Sequence, residues 1–136
     1  MLDDDLIRIL RARNRRVTSQ RLLVHRIVRS RDTHLSAEQV HSAVRAELPA
    51  TSLPTIYATL ELLGELGVVR RVNCGGRGAL YEGRLDPHAH AVCRVCGAVR
   101  DIDPVELRPV MAAARGAGFT PERADALVSG VCADCG

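Results

Sequence analysis

Four cysteines, Cys93, Cys96, Cys132 and Cys135, form two C-x-x-C pairs with 35 residues between them. If the pairs act together, the segment around position 130 must return to the segment around position 95. Each pair sits in a glycine-terminated turn, "CRVCG" and "CADCG", where two thiolates chelate one ion. Four thiolates at about 2.3 Å make the closed tetrahedral shell of structural zinc. The competing reading, two redox dithiols, calls for a thioredoxin-like βαβ pattern, and neither pair is embedded in one. Cys74, the fifth cysteine, lies in the Gly-rich stretch "NCGGRG" without ligand spacing. It is expected to be an incidental exposed thiol, with a role as sensing ligand the lesser alternative.

A metal staple suits the rest of the composition. The 136 residues include three aromatics and no Trp, so cores must be built from Leu, Val, Ile and Ala. Small cores of that kind need a metal or a second subunit to be secure. All nineteen basic residues are Arg, and their distribution is uneven. Residues 1–82 carry thirteen Arg against nine acids, whereas 83–136 carry six against seven. The front half is therefore the candidate for contact with a polyanion. No stretch approaches the roughly 20 apolar residues of a membrane span, and "MLDDDLIRIL" opens acidic, unlike a secretion signal. A cytoplasmic protein without membrane partners is expected, and there paired cysteines more often bind metal than form disulfides.

Along residues 1–83 the pattern is helices followed by a hairpin. Leu6, Ile7 and Leu10 share one face of a helix over 3–12. Thr18 or Ser19 caps a second helix with Leu22, Leu23, Ile27 and Val28 inward. Ser36-Ala-Glu-Gln39 is a capping box opening a third with Val40, Val44 and Leu48, stopped by Pro49. A fourth begins near Ser52, buries Ile56, Leu60 and Leu63, ends at Gly67, and leaves Thr55, Tyr57 and Ala58 on its other face. "VVRRV" and "ALYEG" then flank "NCGGRG" as a hairpin with Arg70, Arg71 and Arg77 on or near it. This order spells a winged helix-turn-helix. "RLDP", 84–87, reads as a hinge. Residues 88–136 read as a small α/β unit: two strands around Cys93-x-x-Cys96, a helix from Pro104 to about Arg115, and a last strand in "ALVSGVC". The fold class is α+β.

A second ligand set accompanies the thiols. His88 and His90 alternate along the expected strand and so point to one face. H-x-H alone is a weak signal. It gains weight from Glu82 just before the hinge, Asp101 on the paired strand and His34 before the third helix. Such a mixed N/O set suits iron(II), manganese(II) or zinc, with carboxylates favouring the harder ions. An ion bound by all five would fix one mutual orientation of the two halves.

"RVTSQR" at 16–21, "LPTIYATLELLGELGVVRRV" at 53–72, "HAHAVCRVCGAVRDID" at 88–103 and the terminal "GVCADCG" together resemble the ferric uptake regulator family of metal-dependent repressors over nearly the whole chain. The resemblance implies an N-terminal DNA-binding winged helix, a hinge, a C-terminal dimerisation domain, a structural zinc, and a regulatory iron(II) or manganese(II) held by His34, Glu82, His88, His90 and Asp101. It also implies a homodimer on palindromic operator DNA. The branch stays open. Asp101 resembles peroxide sensors, in which iron(II) and peroxide would oxidise His34 or His88, while Glu82 departs from them. Zinc-sensing members place a Cys where Glu82 stands. Pro87 and Ala89 replace residues of a further metal site, which is expected to be missing.

In such a regulator the Ser52 helix enters the major groove with Thr55 and Tyr57 toward the bases. Arg16, Thr18, Gln20, Arg21, Arg70, Arg71 and Arg77 then meet phosphates. Two other classes remain distinguishable: a thiol oxidoreductase, free of zinc with a titratable dithiol, and a DNA-binding protein with zinc as a staple alone, whose binding ignores the second metal.

Overall fold

The computed structural model describes residues 2–30, 34–74, 78–86, 88–103 and 106–136. It divides into two compact units, Met1–Leu85 and Asp86–Gly136. Among the described residues no helix is long and apolar enough to cross a membrane.

The first unit opens with α1 (Leu2–Ala12), which has Asp3, Asp4 and Asp5 in its first turn and Arg11 in its last, matching the helix dipole at both ends. It stops at Asn14, in the left-handed region at φ 55°, a conformation Asn tolerates better than most residues. α2 (Ser19–Ser30) settles the choice of cap: Thr18 Oγ1 accepts from the Arg21 amide at 3.2 Å. α3 (Ala37–Arg45) carries the full capping box, Ser36 with Gln39. It ends four residues before Pro49, whose ring disfavours helical geometry at the preceding Leu48. The Leu48 amide makes the last return bond, to Val44 O at 2.8 Å. α4 (Leu53–Glu65) is capped by Ser52, takes Pro54 in its first turn, and is released by Gly67 at φ 74°.

Leu6, Leu10, Val24, Val28, Val40, Val44, Ile56, Leu60 and Leu63 are fully buried in one core shared by the four helices. Each such side chain contributes about 1.5–3 kcal/mol relative to exposure. β1 (Arg70–Asn73) pairs antiparallel with β2 (Ala79–Glu82). Leu35 adds an antiparallel bridge to Tyr81, closed by bonds of 2.9 and 2.7 Å between the two backbones. The hairpin thus gains a third line of backbone from the loop before α3. Helix, turn, helix and hairpin make a winged helix-turn-helix, as the patterning predicts. Arg77 lies outside the described residues, as does Pro87 of the expected hinge.

In the second unit β3 (Ala89–Cys93) is central, with antiparallel β4 (Val99–Ile102) on one side and parallel β5 (Leu127–Gly130) on the other. α5 (Arg108–Gly116) lies between β4 and β5 in the chain. The helix expected from Pro104 begins later. Pro104 itself is outside the described residues, but Glu106 and Leu107 are not helical, and Pro109 occupies the first turn, where its missing N–H costs nothing. α5 buries none of its residues, and Val110, Phe119, Leu127, Val128 and Val131 are exposed.

Candidate functional site

The second unit gathers the four paired cysteines at one end of its sheet. β3 delivers Cys93, and the turn that follows is closed by the Gly97 amide bonding Cys93 O at 2.8 Å, with Gly97 at φ 75°. The parallel pairing of β5 with β3 sets Gly130 opposite Cys93, so the chain leaves β5 directly into the Cys132–Cys135 turn. None of these cysteines is in a disulfide. All four sulfurs lie within 4.8 Å of one another, and Cys96 and Cys132 Sγ are 3.7 Å apart. Four sulfurs at 2.3 Å from a tetrahedral zinc are about 3.8 Å apart, so the cage has the size of that ion. Amides of Cys132 and Cys96 point at Cys93 Sγ, at 3.3 and 3.5 Å, and these donors hold its pKa down to about 5. Cys135, hydrogen-bonded with Cys132 and Cys96, is pushed up to about 12. A fourth thiolate in this cage needs a cation to balance it.

The same sheet assembles a second group. His90 and Asp101 are direct cross-strand partners, and His88 stands one alternation before His90, its ring 4.6 Å away. Both Nε2 atoms converge on Asp101 Oδ1, at 3.6 Å from His88 and 3.5 Å from His90. These separations exceed hydrogen bonds and match the edges of a shell with arms of about 2.1 Å. His88 Nδ1 lies 2.7 Å from the Asp86 carbonyl. A carbonyl only accepts, so the proton sits on Nδ1 and Nε2 is left as a ligand.

In the first unit His34 Nε2 is 2.8 Å from Glu82 Oε2, with Glu82 buried and His34 largely so. The bridge of Leu35 to Tyr81 sets this pair: in an antiparallel bridge, the residue before Leu35 falls opposite the residue after Tyr81. Arg70 is the partner of Glu82 across the hairpin, so it shares the Glu82 face, and Arg71 faces the other way. The two arginines, expected to act together on phosphate, therefore point to opposite sides of the wing. Cys74, expected to be exposed, is 3% exposed. Its amide bonds Gly78 O at 3.1 Å and its sulfur faces the Val72 carbonyl at 3.9 Å, which turns the side chain inward. Four residues of strand separate it from the Arg70–Glu82 row, about 13 Å.

On α4, Tyr57 and Ala58 are exposed and Thr55 is half-buried, its hydroxyl 2.9 Å from that of Ser52. Arg16 is exposed and Gln20 half-buried. Thr18 is engaged as a cap, and Arg21 donates to the Arg16 carbonyl at 2.6 Å, bracing the loop that presents Arg16. The structure adds Glu38, unmarked by any spacing in the sequence, whose carboxylate accepts the Tyr57 hydroxyl at 3.1 Å.

A winged helix-turn-helix joined to a small sheet with a four-cysteine cage defines a metal-binding transcription regulator. Residues 12–125 match the model of the ferric uptake regulator family, and the chain belongs to that family of metal-responsive transcriptional regulators. It is 37% identical over 128 residues to transcriptional regulator FurA of Mycobacterium tuberculosis, covering 93% of this chain and 86% of that protein. Its fold is similar to that of the Helicobacter pylori ferric uptake regulator, with a TM-score of 0.84 at 21% identity over 99% of this chain and 93% of the other. A zinc uptake regulator solved with zinc and DNA is similar at a TM-score of 0.69 and 28% identity, over 98% and 92% of the two chains. These relatives are named as regulators and not as enzymes.

Proposed function

We propose that the chain is a homodimeric repressor whose operator affinity is set by a divalent ion bound by His34, Glu82, His88, His90 and Asp101. Zinc on Cys93, Cys96, Cys132 and Cys135 holds the second unit folded. The observation that carries this reading is the convergence of His88 and His90 Nε2 on one Asp101 oxygen, with a matching His–carboxylate pair, His34 and Glu82, in the unit that bears α4. The donors are nitrogen and oxygen throughout, which favours iron(II) or manganese(II) over zinc. Cys74, turned inward at the far end of β1, adds no thiol to them. The cytoplasm, where thiols stay reduced, is the compartment this cage requires.

Ligands drawn from both units make the ion a selector of their mutual orientation. If it binds the DNA-competent arrangement better by about 1 to 3 kcal/mol, DNA affinity rises roughly 5- to 150-fold, and DNA tightens the ion by the same factor. A second copy of the chain covers the exposed apolar residues of α5 and β5 and supplies the two-fold symmetry of a palindrome. Tyr57 and Thr55 meet base edges, while Arg16, Gln20 and Arg71 meet phosphates, with Thr18 and Arg21 shaping the loop.

The test is a titration of manganese(II), iron(II) and zinc against a duplex selected from a randomised pool, with and without peroxide, on wild type and His34→Ala. The variant is expected to keep one zinc per chain and the dimer, to bind the second ion more weakly, and to lose metal-stimulated DNA binding. Normal metal dependence in the variant removes His34 from the site. Loss of DNA binding by peroxide in the iron form alone selects the peroxide-sensing branch.

A further inference from the structure

Glu38 is an odd neighbour for a DNA-reading helix. It sits in the first turn of α3, exposed and negatively charged, beside the exposed face of α4 that must approach a polyanion. Its contact explains its place. Tyr57 donates its hydroxyl to Glu38 Oε1 at 3.1 Å. An ionised carboxylate only accepts, so the phenol proton is committed to this bond and the phenolic oxygen has only lone pairs left to offer. The bond leaves its mark on both groups. Glu38 is held below the usual carboxylate range by its backbone amide and then by Tyr57, and Tyr57 is raised chiefly by Glu38. Both therefore keep these protonation states across neutral pH.

Major-groove base edges present two exocyclic donors, adenine N6 and cytosine N4. Guanine and thymine present acceptors at the corresponding places, O6 and O4. An acceptor-only phenol beside a carboxylate pairs with the first two and is repelled by the others. Repulsion also keeps the pair off phosphate oxygens, so the tyrosine is left for the bases. We propose that Glu38 is a specificity-determining positioning residue: by taking the Tyr57 proton it fixes the phenol as an acceptor, so that α4 selects an exocyclic amino group, adenine N6 or cytosine N4, at the base it faces. This rests on the reading of α4 as the helix that enters the major groove.

The test uses the full-length, zinc-loaded protein with manganese(II) and a pool of randomised DNA duplexes. Selected sequences are compared for wild type, Tyr57→Ala, Tyr57→Phe, Glu38→Ala and Glu38→Gln, with melting and zinc content measured on each. At the position that Tyr57→Ala changes, wild type is expected to prefer an amino-bearing base by roughly 2- to 10-fold, the worth of one hydrogen bond. Replacing an adenine there by purine, which lacks N6, should cost the same factor. Glu38→Ala and Tyr57→Phe should each abolish the preference, and their combination should add nothing. Glu38→Gln keeps an acceptor oxygen and should restore much of it.

A preference that survives Glu38→Ala but not Tyr57→Phe overturns the role of Glu38 while leaving α4 as the reader. Glu38→Gln behaving like Glu38→Ala overturns it too, by reducing Glu38 to its charge. Unchanged affinity and preference in Tyr57→Ala overturns the reading of α4 itself.

Discussion

Replacing His25 by leucine should stabilise the DNA-binding unit, and by an amount that grows as the pH falls. His25 is 2% exposed on the inner side of α2, among Leu23, Val24 and Val28. Its Nδ1 has no hydrogen-bond partner among the described residues. A buried polar atom left in that state costs about 1–3 kcal/mol, which leucine removes while filling similar space. For a unit of this size each kcal/mol is worth about 4–8 °C in Tm. Burial pushes the imidazole pKa below its ordinary value, and Arg29 pushes the same way, against smaller opposing effects of Asp3 and Asp5. The folded state therefore binds its proton more weakly than the unfolded state. Above the unfolded pKa of about 6.5 the ring is neutral in both states and contributes no pH dependence. Between that value and the lower folded pKa the unfolded chain takes up a proton, and wild type loses about 1.4 kcal/mol per pH unit. Urea unfolding of both proteins from pH 7.5 to 5, followed by far-UV circular dichroism, measures the difference in free energy directly. Taking the difference cancels the titration of the metal ligands, which the two proteins share. A variant no more stable than wild type at pH 7.5, or a difference that stays constant to pH 5, refutes the account of His25 as a buried, neutral, underbonded ring.

Cys96→Ser should lose one zinc per chain by metal analysis and unfold or monomerise the second unit, whose described residues bury little else; a variant retaining zinc and dimer contradicts the cage. Arg71→Ala should weaken specific and non-specific DNA alike and lower the slope of log affinity against log salt by about 1, as fluorescence anisotropy across a salt series would report. Leu63→Ala, at a fully buried α4 position, should cost about 2–5 kcal/mol in urea unfolding.

What the sequence makes legible is what local chemistry decides. The Ser36–Gln39 box, the Ser52 cap with Pro54, and Gly67 each fix a helix end from within a few residues, and the structure keeps all three. The two C-x-x-C pairs point to a common cage because each brings its two sulfurs together within its own turn, and the structure gathers all four within 4.8 Å of one another. The neighbourhoods that escape such reading are set by register between distant segments. That His34 meets Glu82 depends on the bridge of Leu35 to Tyr81, and no periodicity in either segment states it. Arg70 and Arg71 look equivalent in "VVRRV" until strand pairing sends them to opposite faces. Glu38 reads as an ordinary first-turn acid of α3, and its partner lies nineteen residues on in another helix. Cys74, a lone thiol without ligand spacing in the Gly-rich hairpin, reads as exposed, whereas the structure, with its amide bonded to Gly78 O, buries it.

The Leu35–Tyr81 bridge has a mechanical consequence. It lines up two adjacent rows across three strands of backbone, Arg71–Tyr81–Leu35 and Arg70–Glu82–His34. The rows lie one residue apart along strands cross-linked by backbone hydrogen bonds, about 3.3 Å, so if Arg71 grips a phosphate as proposed, a pull on it is passed to the neighbouring Glu82 with little slack. On the proposed reading of Arg71, the wing is a stiff lever with a DNA grip on one row and a His–carboxylate pair on the next. If that reading holds, docking that tilts the hairpin would move His34 and Glu82 together, and a duplex too narrow or too wide to seat the wing would be felt at those two side chains as strain.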